Sequence, residues 1–343
     1  MPWCGCGRHL LAARIFSFEQ HHQQHEIKMN IQEILFQING EEIPNYFGIN
    51  REERNLAAIL YGLLCKPNYL NWFLKDLCCK TEMGEDSGVY FEYAYLRDFW
   101  RYLDSANSNP EQAAEANISE INRIKSEFIQ KLLANHATIK KIFSDTDDVE
   151  EINDALGVGG PLSKKYIQSP GRWSIAKLDA NKYFKGTEND EIFLKLCMFK
   201  WAFNIKPDIV IHIDKSTAIC IETKYESDES QYPTSQAETQ IFDARWADPG
   251  AVLTPFEQAM FANSKHPRIK QMQLQKYMME DLLGIKTKFV LVGTKDLKSR
   301  DYEFRHWKEV LTDIALEGMH KSVIQMAKVP SARRSHVETP RHS

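Results

Sequence analysis

The stretch KPDIVIHIDKSTAICIETK, Lys206 to Lys224, decides how this chain is read. Over residues 208–214 and 218–224 apolar and polar side chains alternate, which is the period of a β-strand. Asp214-Lys215-Ser216-Thr217 supplies the turn between them. Along the second strand Cys220, Glu222 and Lys224 share one face, and Ile219, Ile221 and Thr223 share the other. Along the first, Asp208, Val210 and His212 share a face. Register then decides whether the polar groups meet. A plain two-residue loop at Lys215-Ser216 would set Asp208 opposite Thr223, on the wrong side. An odd loop such as 214–216, or a bulge, sets Asp208 opposite Glu222, and this is the expectation.

Two carboxylates a few ångström apart both stay ionised only when a cation sits between them. Oxygen ligands at that spacing suit Mg²⁺ or Mn²⁺. Such a metal lowers the pKa of a water and stabilises charge on a phosphate. Lys224, on the same face, would orient or deprotonate the attacking water, or neutralise charge on the phosphate. The plain alternative is a surface hairpin with an ordinary Glu/Lys mixture. Against it, the acids sit among Ile209, Val210, Ile211, Ile213, Ile219 and Ile221, and a Glu and a Lys ending a buried strand need a reason.

Lys206-Pro207-Asp208, thirteen residues, then Glu222-Thr223-Lys224 resembles the motif of the PD-(D/E)XK nuclease superfamily. Gln273-Leu274-Gln275-Lys276-Tyr277 is similar to the Q-x-x-x-Y motif that follows the catalytic strand in RecB-type members. Gln273 and Tyr277 lie four apart and share a helix face. The resemblance covers residues 190–295, about a third of the chain. It implies an α/β fold with a restriction-endonuclease-like core, a mixed central sheet flanked by helices, carrying a mainly helical N-terminal region or insertion. It also implies that Asp208 and Glu222 are metal ligands, with a further ligand from the Thr223 carbonyl, and that Lys224 is the catalytic lysine. Gln273 and Tyr277 would shape a DNA-facing wall. The family often places one more acid on a helix at the start of the core. Glu53 is the candidate, with Glu188 and Glu191 as alternatives, and the plainer role for Glu53 is to complete a capping box with Asn50. Some RecB-type members hold an iron–sulfur cluster on four cysteines. Only Cys197 and Cys220 lie near this core, so no cluster is expected.

Residues 50–65 read as an amphipathic helix with Leu56, Ile59, Leu60, Leu63 and Leu64 on one stripe, stopped by Pro67. Residues 69–79 and 90–103 also read as helices, and 111–143 as the clearest one. Residues 192–199 fit a buried strand or a short helix. Residues 228–254 read as a long loop, 268–283 as a helix ended by Gly284, and 288–293 as a further strand. Gly157-Val158-Gly159-Gly160-Pro161 lacks the Gly-Lys-Ser/Thr of a phosphate loop and reads as a linker. The organisation expected is an extension over 1–28, a mainly helical region over 29–160 whose helix 50–65 can belong to the core, the nuclease-like core over 161–325, and a disordered basic tail over 326–343. The extension, with its His21-His22-Gln23-Gln24-His25 run, reads as an upstream-start artefact or a tail, because Met29 opens a more ordinary sequence.

The chain has 343 residues, 43% hydrophobic and 26% charged, with a formal charge of −4. That excludes a collagen, a coiled coil and a protein that merely coats nucleic acid. No apolar run is long enough for a membrane span. Seven cysteines at irregular spacing do not make a disulfide scaffold, so a reducing cytoplasm is expected. Positive charge is local. Residues 164–185 carry six Lys/Arg, Arg172 among them, interleaved with Tyr166, Trp173, Tyr183 and Phe184, and 265–276 add Lys265, Arg268, Lys270 and Lys276. Basic residues with aromatics suit phosphate contact plus base stacking, so Arg172 and Lys276 join the substrate-binding candidates. His212 is a packed residue or a partner of Asp208. The function expected is a Mg²⁺-dependent deoxyribonuclease acting on DNA in restriction, defence or repair, as a homodimer where it cuts both strands. The alternative is an inactive nuclease-fold protein that binds nucleic acid or a protein partner.

Overall fold

The hairpin's side chains alternate between two apolar layers. Ile209, Ile211, Ile213, Ile219 and Ile221 enter one core cluster, and Val210, Ala218 and Cys220 enter the other. Strands buried on both faces belong in the middle of a sheet, and the computed structural model places them there. It describes residues 37–38, 41–42, 53–79, 82–105, 115–134, 136–180, 190–225, 227–246, 253–261, 267–295, 302–321, 323–324 and 327. The expected extension over 1–28 and the tail over 326–343, apart from Ala327, lie outside these residues.

The chain divides into Met1–Ile49 and Asn50–Ser343. In the first unit the described residues form a two-residue antiparallel ladder, Gln37–Ile38 with Glu41–Glu42. The second holds a five-stranded sheet: β1 (Gly88–Phe91), β2 (Ile209–Asp214), β3 (Thr217–Lys224), β4 (Lys286–Gly293) and β5 (Glu303–His306), in that spatial order. The β1–β2 and β2–β3 pairs are antiparallel, while β3–β4 and β4–β5 are parallel. The protein is thus α/β with a mixed sheet flanked by helices.

On the isoleucine face lie α1 (Glu53–Leu64) and α2 (Pro67–Asp76). Leu56, Leu60, Leu63 and Leu64 of α1, with Phe73 and Leu74 of α2, fill that cluster. Each such buried side chain contributes roughly 1.5–3 kcal/mol. Pro67 does not merely stop α1. It occupies the first turn of α2, where its missing N–H is no loss.

The opposite face is covered by helices that enter between β1 and β2. They are α3 (Tyr95–Ser105), α4 (Glu115–Leu132), α5 (Ala137–Asp145), α6 (Val149–Ala155), α7 (Ile175–Ala180) and α8 (Asp190–Ala202). Residues 90–91 belong to β1, not to a helix. The helix expected over 111–143 is two: the His136 ring accepts the Ile139 N–H (3.3 Å) and caps a fresh start. Ile152, Leu156, Val158, Ile167 and Trp173, on both sides of the glycine run, share one cluster with α8. The 192–199 segment is helical, within α8.

The expected loop over 228–254 contains α9 (Gln236–Arg245), capped by Ser235, and a two-residue ladder of Gln231–Tyr232 with Ile269–Lys270. A short helix, α10 (Pro255–Met260), follows, and then α11 (Gln271–Lys276), which widens into a π-helical turn over Tyr277–Leu282. Gly284, at φ +67°, takes the left-handed conformation that ends it. After β5, α12 (Trp307–Val310) returns to the isoleucine face. No helix among the described residues is long and apolar enough to cross a membrane.

Candidate active site

The hairpin register is the one that brings the acids together. Ile209 pairs with Ile221, Val210 with Cys220, Ile211 with Ile219 and His212 with Ala218, but Asp214 pairs with Thr217. The turn is therefore the two residues Lys215-Ser216, and Ile213 is an extra residue bulged into β2. Asp214 stabilises the turn by accepting from the Ser216 N–H (2.8 Å) and hydroxyl (2.9 Å). Extending the register by one residue sets Asp208 opposite Glu222.

Asp208 Oδ2 accepts from the Thr223 N–H (2.8 Å) and hydroxyl (2.6 Å). Its Oδ1 accepts from no described residue. Glu222 is 1% exposed and takes three donors: Lys224 Nζ (2.8 Å) and Gln271 Nε2 (2.6 Å) on Oε1, and Gln275 Nε2 (2.7 Å) on Oε2. The Cys220 thiol lies 3.5 Å from Gln275 Oε1, which turns the amide NH₂ toward Glu222. Lys224 Nζ also reaches Glu53 Oε1 (3.2 Å). Glu53 Oε2 accepts from the Tyr225 N–H (2.9 Å) and the Ser227 hydroxyl (2.7 Å). The first residue of α1 is thereby tied to the end of β3. The indole of Trp307 donates to the Lys224 carbonyl (2.9 Å) and steadies the backbone there.

Burial pushes the Glu222 carboxyl up to about 7, reinforced by the nearby Asp208 charge and opposed by Lys224. Burial likewise raises Asp208, against the Thr223 hydrogen bonds that favour its ionised form. For Lys224, burial disfavours the ammonium, but Glu222, Glu53 and Asp208 outweigh it and hold the group above an ordinary lysine. Three carboxylates surround one ammonium, so the cluster carries surplus negative charge.

That donor set fits a hard divalent cation. Asp208 Oδ1 is open, and Glu222 Oε2 has one lone pair beyond its Gln275 bond. Among the described residues no three His, Cys, Asp or Glu side chains form a ready ligand shell. Mg²⁺ is commonly held by one or two carboxylates, with waters and substrate completing the octahedron.

The glutamines differ from expectation. Gln273 faces away from Glu222: its Oε1 accepts the Lys270 N–H (3.0 Å) and its Nε2 donates to the Ala259 carbonyl (2.9 Å). Tyr277 is buried, in a pocket shared with Leu132 and His136 of the helical segment. The site-facing pair is Gln271 and Gln275, also four apart but one face round. The Met272 N–H donates to Glu229 (2.8 Å) and the Gln271 N–H to the Ser230 carbonyl (2.8 Å), which fixes the start of α11. The repeated Gln at 271, 273 and 275 held the signal, but the helix start that selects the face was not readable.

The remaining candidates lie elsewhere. Lys276 is exposed on α11. Arg172 donates to Gln168 (2.7 Å) in the helical segment. Trp173 is core, against Phe199, and offers no face for stacking. Tyr183, Phe184, Lys265 and Glu188 are outside the described residues, and Glu191 pairs with Lys195 along α8 (2.7 Å). His212 bonds the Tyr93 hydroxyl (3.0 Å), not Asp208. Cys197 and Cys220 are buried free thiols. No family model, no curated protein and no solved structure matches this chain.

Proposed function

We propose that this chain is a metal-dependent nuclease that hydrolyses phosphodiester bonds in DNA. The observation that carries the reading is the convergence of Asp208, Glu222, Lys224 and Glu53 at the ends of two adjacent buried strands. The order of elements supports it as well: an acid-bearing helix, three antiparallel strands, the helices α9–α11, then a parallel strand. That order matches the restriction-endonuclease-like core the motifs imply, with α3–α8 as a helical insertion between the first two strands.

Asp208 and Glu222 would hold Mg²⁺ or Mn²⁺, with the Thr223 carbonyl as a further oxygen. The bound ion would supply an activated water and stabilise charge on the phosphate. Gln271 and Gln275 fix the Glu222 carboxylate, leaving it one oxygen lone pair to offer. Thr223 does the same for Asp208. Lys224, held protonated by its acids, serves as a fixed positive charge toward the reacting phosphate rather than as a base. Glu53 orients Lys224 from α1.

Supercoiled plasmid incubated with Mg²⁺, Mn²⁺ or EDTA, beside Asp208→Ala and Lys224→Ala, tests this directly. Metal-dependent nicking or linearisation that disappears in both variants is expected. Cleavage that persists in both, or in EDTA, would sink the assignment.

A further inference from the structure

We infer that β1 and α3 form a track for an unpaired polynucleotide strand, which names a substrate class and rests on the nuclease reading above. Tyr90, Tyr93, Tyr95, Phe99 and Tyr102 form one continuous row, with successive ring centroids 5.8, 5.9, 6.0 and 6.4 Å apart. Tyr95, Phe99 and Tyr102 follow helical i, i+4, i+7 spacing. The last three contacts are near-parallel, at 16°, 6° and 30°. Parallel rings at that separation lie offset rather than face to face, so ring surface is left over.

At three of the five rings that surface reaches solvent, whereas Tyr93 is buried and Phe99 half-buried. Tyr90 is 44% exposed, Tyr95 43% and Tyr102 61%. Of the four largely exposed aromatic side chains among the described residues, three belong to this row, and Trp72 is the other. Stability gives no reason to display three tyrosines along one line.

Charge runs beside the rings. On the next stripe of α3, Arg97 and Arg101 line a cleft of about 550 Å³ together with Lys125 and Arg172. Lys125 is buried and matched by Asp104, so the charge facing the cleft is that of Arg97, Arg101 and Arg172, against one carboxylate, Asp98, near the first two. A cationic groove beside a row of exposed rings fits a strand whose phosphates follow the groove while its bases stack on the rings. Bases inside a duplex are stacked on each other and cannot use such a row. The row also starts next to the acids: the Tyr93 N–H donates to Pro207 O (2.9 Å) and the Glu92 N–H to Asp208 O (2.7 Å).

The test is fluorescence anisotropy with the full chain in EDTA, so that nothing is cut. Probes are labelled oligo(dT) and oligo(U) of roughly twenty nucleotides, above the 4–16 that comparable sites cover, and a duplex of the same length. Unpaired strand should bind at least tenfold more tightly than duplex. Binding of either oligonucleotide supports the track, and the pair distinguishes DNA from RNA. Tyr95→Ala with Tyr102→Ala should weaken strand binding at least tenfold, whereas Tyr95→Trp with Tyr102→Trp retains it. Arg101→Glu, at a side chain 72% exposed, should weaken it and flatten its salt dependence. Duplex binding as tight as strand binding overturns the inference, as does an unchanged double-alanine variant. Loss of strand binding with Mg²⁺-dependent plasmid cleavage intact removes the track alone. Strand binding with Mg²⁺-dependent cleavage of neither plasmid nor oligonucleotide removes the nuclease reading and leaves the track.

Discussion

Lys125 and Lys224 are the two lysines buried among the described residues, at 1% and 8% exposure. Lys125, on α4, is balanced. It pairs with Asp104, donates to the Ile167 carbonyl (3.2 Å), and lies over the rings of Trp100 (4.9 Å) and Tyr166 (5.6 Å). One cation meets one carboxylate and two ring faces, which ties α4 to α3 and to the segment before α7. Lys224 is outnumbered. Two acids bond it and a third lies within its field. A buried charge that serves packing is matched group for group, because an unmatched one is costly. The surplus around Lys224 is a cost to the fold, of the kind that clusters at functional sites.

Four measurements test this contrast. The largest effect should be on chemistry: Lys224→Ala is expected to lower DNA cleavage about a thousandfold, on the order of 4 kcal/mol of barrier. Lys125→Met should do the reverse. It should cost about 3 kcal/mol of stability in urea, toward the low end because Asp104 is half-exposed, and leave cleavage per folded molecule unchanged. If Lys125→Met abolished cleavage without unfolding the chain, the division between the two lysines would be wrong.

The third measurement uses pH. Glu222 binds its proton more tightly in the folded chain, at about 7, than its ordinary 4.5. Stability of the metal-free protein should therefore fall as pH rises from about 4.5 to 7, by roughly 3–4 kcal/mol at 1.36 kcal/mol per pKa unit, and then level off. Saturating Mg²⁺ should restore more at pH 8 than at pH 5; equal thermal shifts at both would separate the metal from Glu222. The smallest effects concern the glutamines. Gln275→Ala should lower activity or metal affinity roughly 10–100-fold by loosening Glu222, while Gln273→Ala, which faces Lys270 and Ala259, should change either by less than about twofold, within the ±0.5 kcal/mol usual for surface substitutions.

Much of the site could be read before the fold. Alternation in 208–214 and 218–224 put Asp208 and Glu222 on matching faces, and the need for them to meet required the bulge found at Ile213. Glu53 was harder, because a first-turn glutamate serves equally as a cap. Asn50, the partner of that capping box, lies outside the described residues, while Glu53 bonds Lys224, Tyr225 and Ser227. β1 was missed because its four residues run straight into the aromatic stripe of α3, and edge pairing leaves no local mark. The 228–254 segment hid α9 because its capping signal, Ser235 with Glu238, stands in a polar stretch with little apolar periodicity. That Gln271 and Gln275, rather than Gln273 and Tyr277, face Glu222 was not readable, since each residue of shift in the helix start turns every side chain by about 100°.

The placement of α3–α8 between β1 and β2 has a kinetic consequence. Phe91 pairs with Ile209, 118 residues further along, whereas β2 and β3 close over Lys215-Ser216. By the (3/2)RT ln n rule, the longer closure carries an entropic cost roughly 3–4 kcal/mol larger. The β2–β3 hairpin can therefore assemble early, while the edge strand docks only after the intervening helices have condensed. The same asymmetry applies in reverse. Amide hydrogens of Gly88–Phe91 should exchange through a smaller opening than those of β3, so the strand that begins the aromatic row is also the sheet's hinge of least resistance.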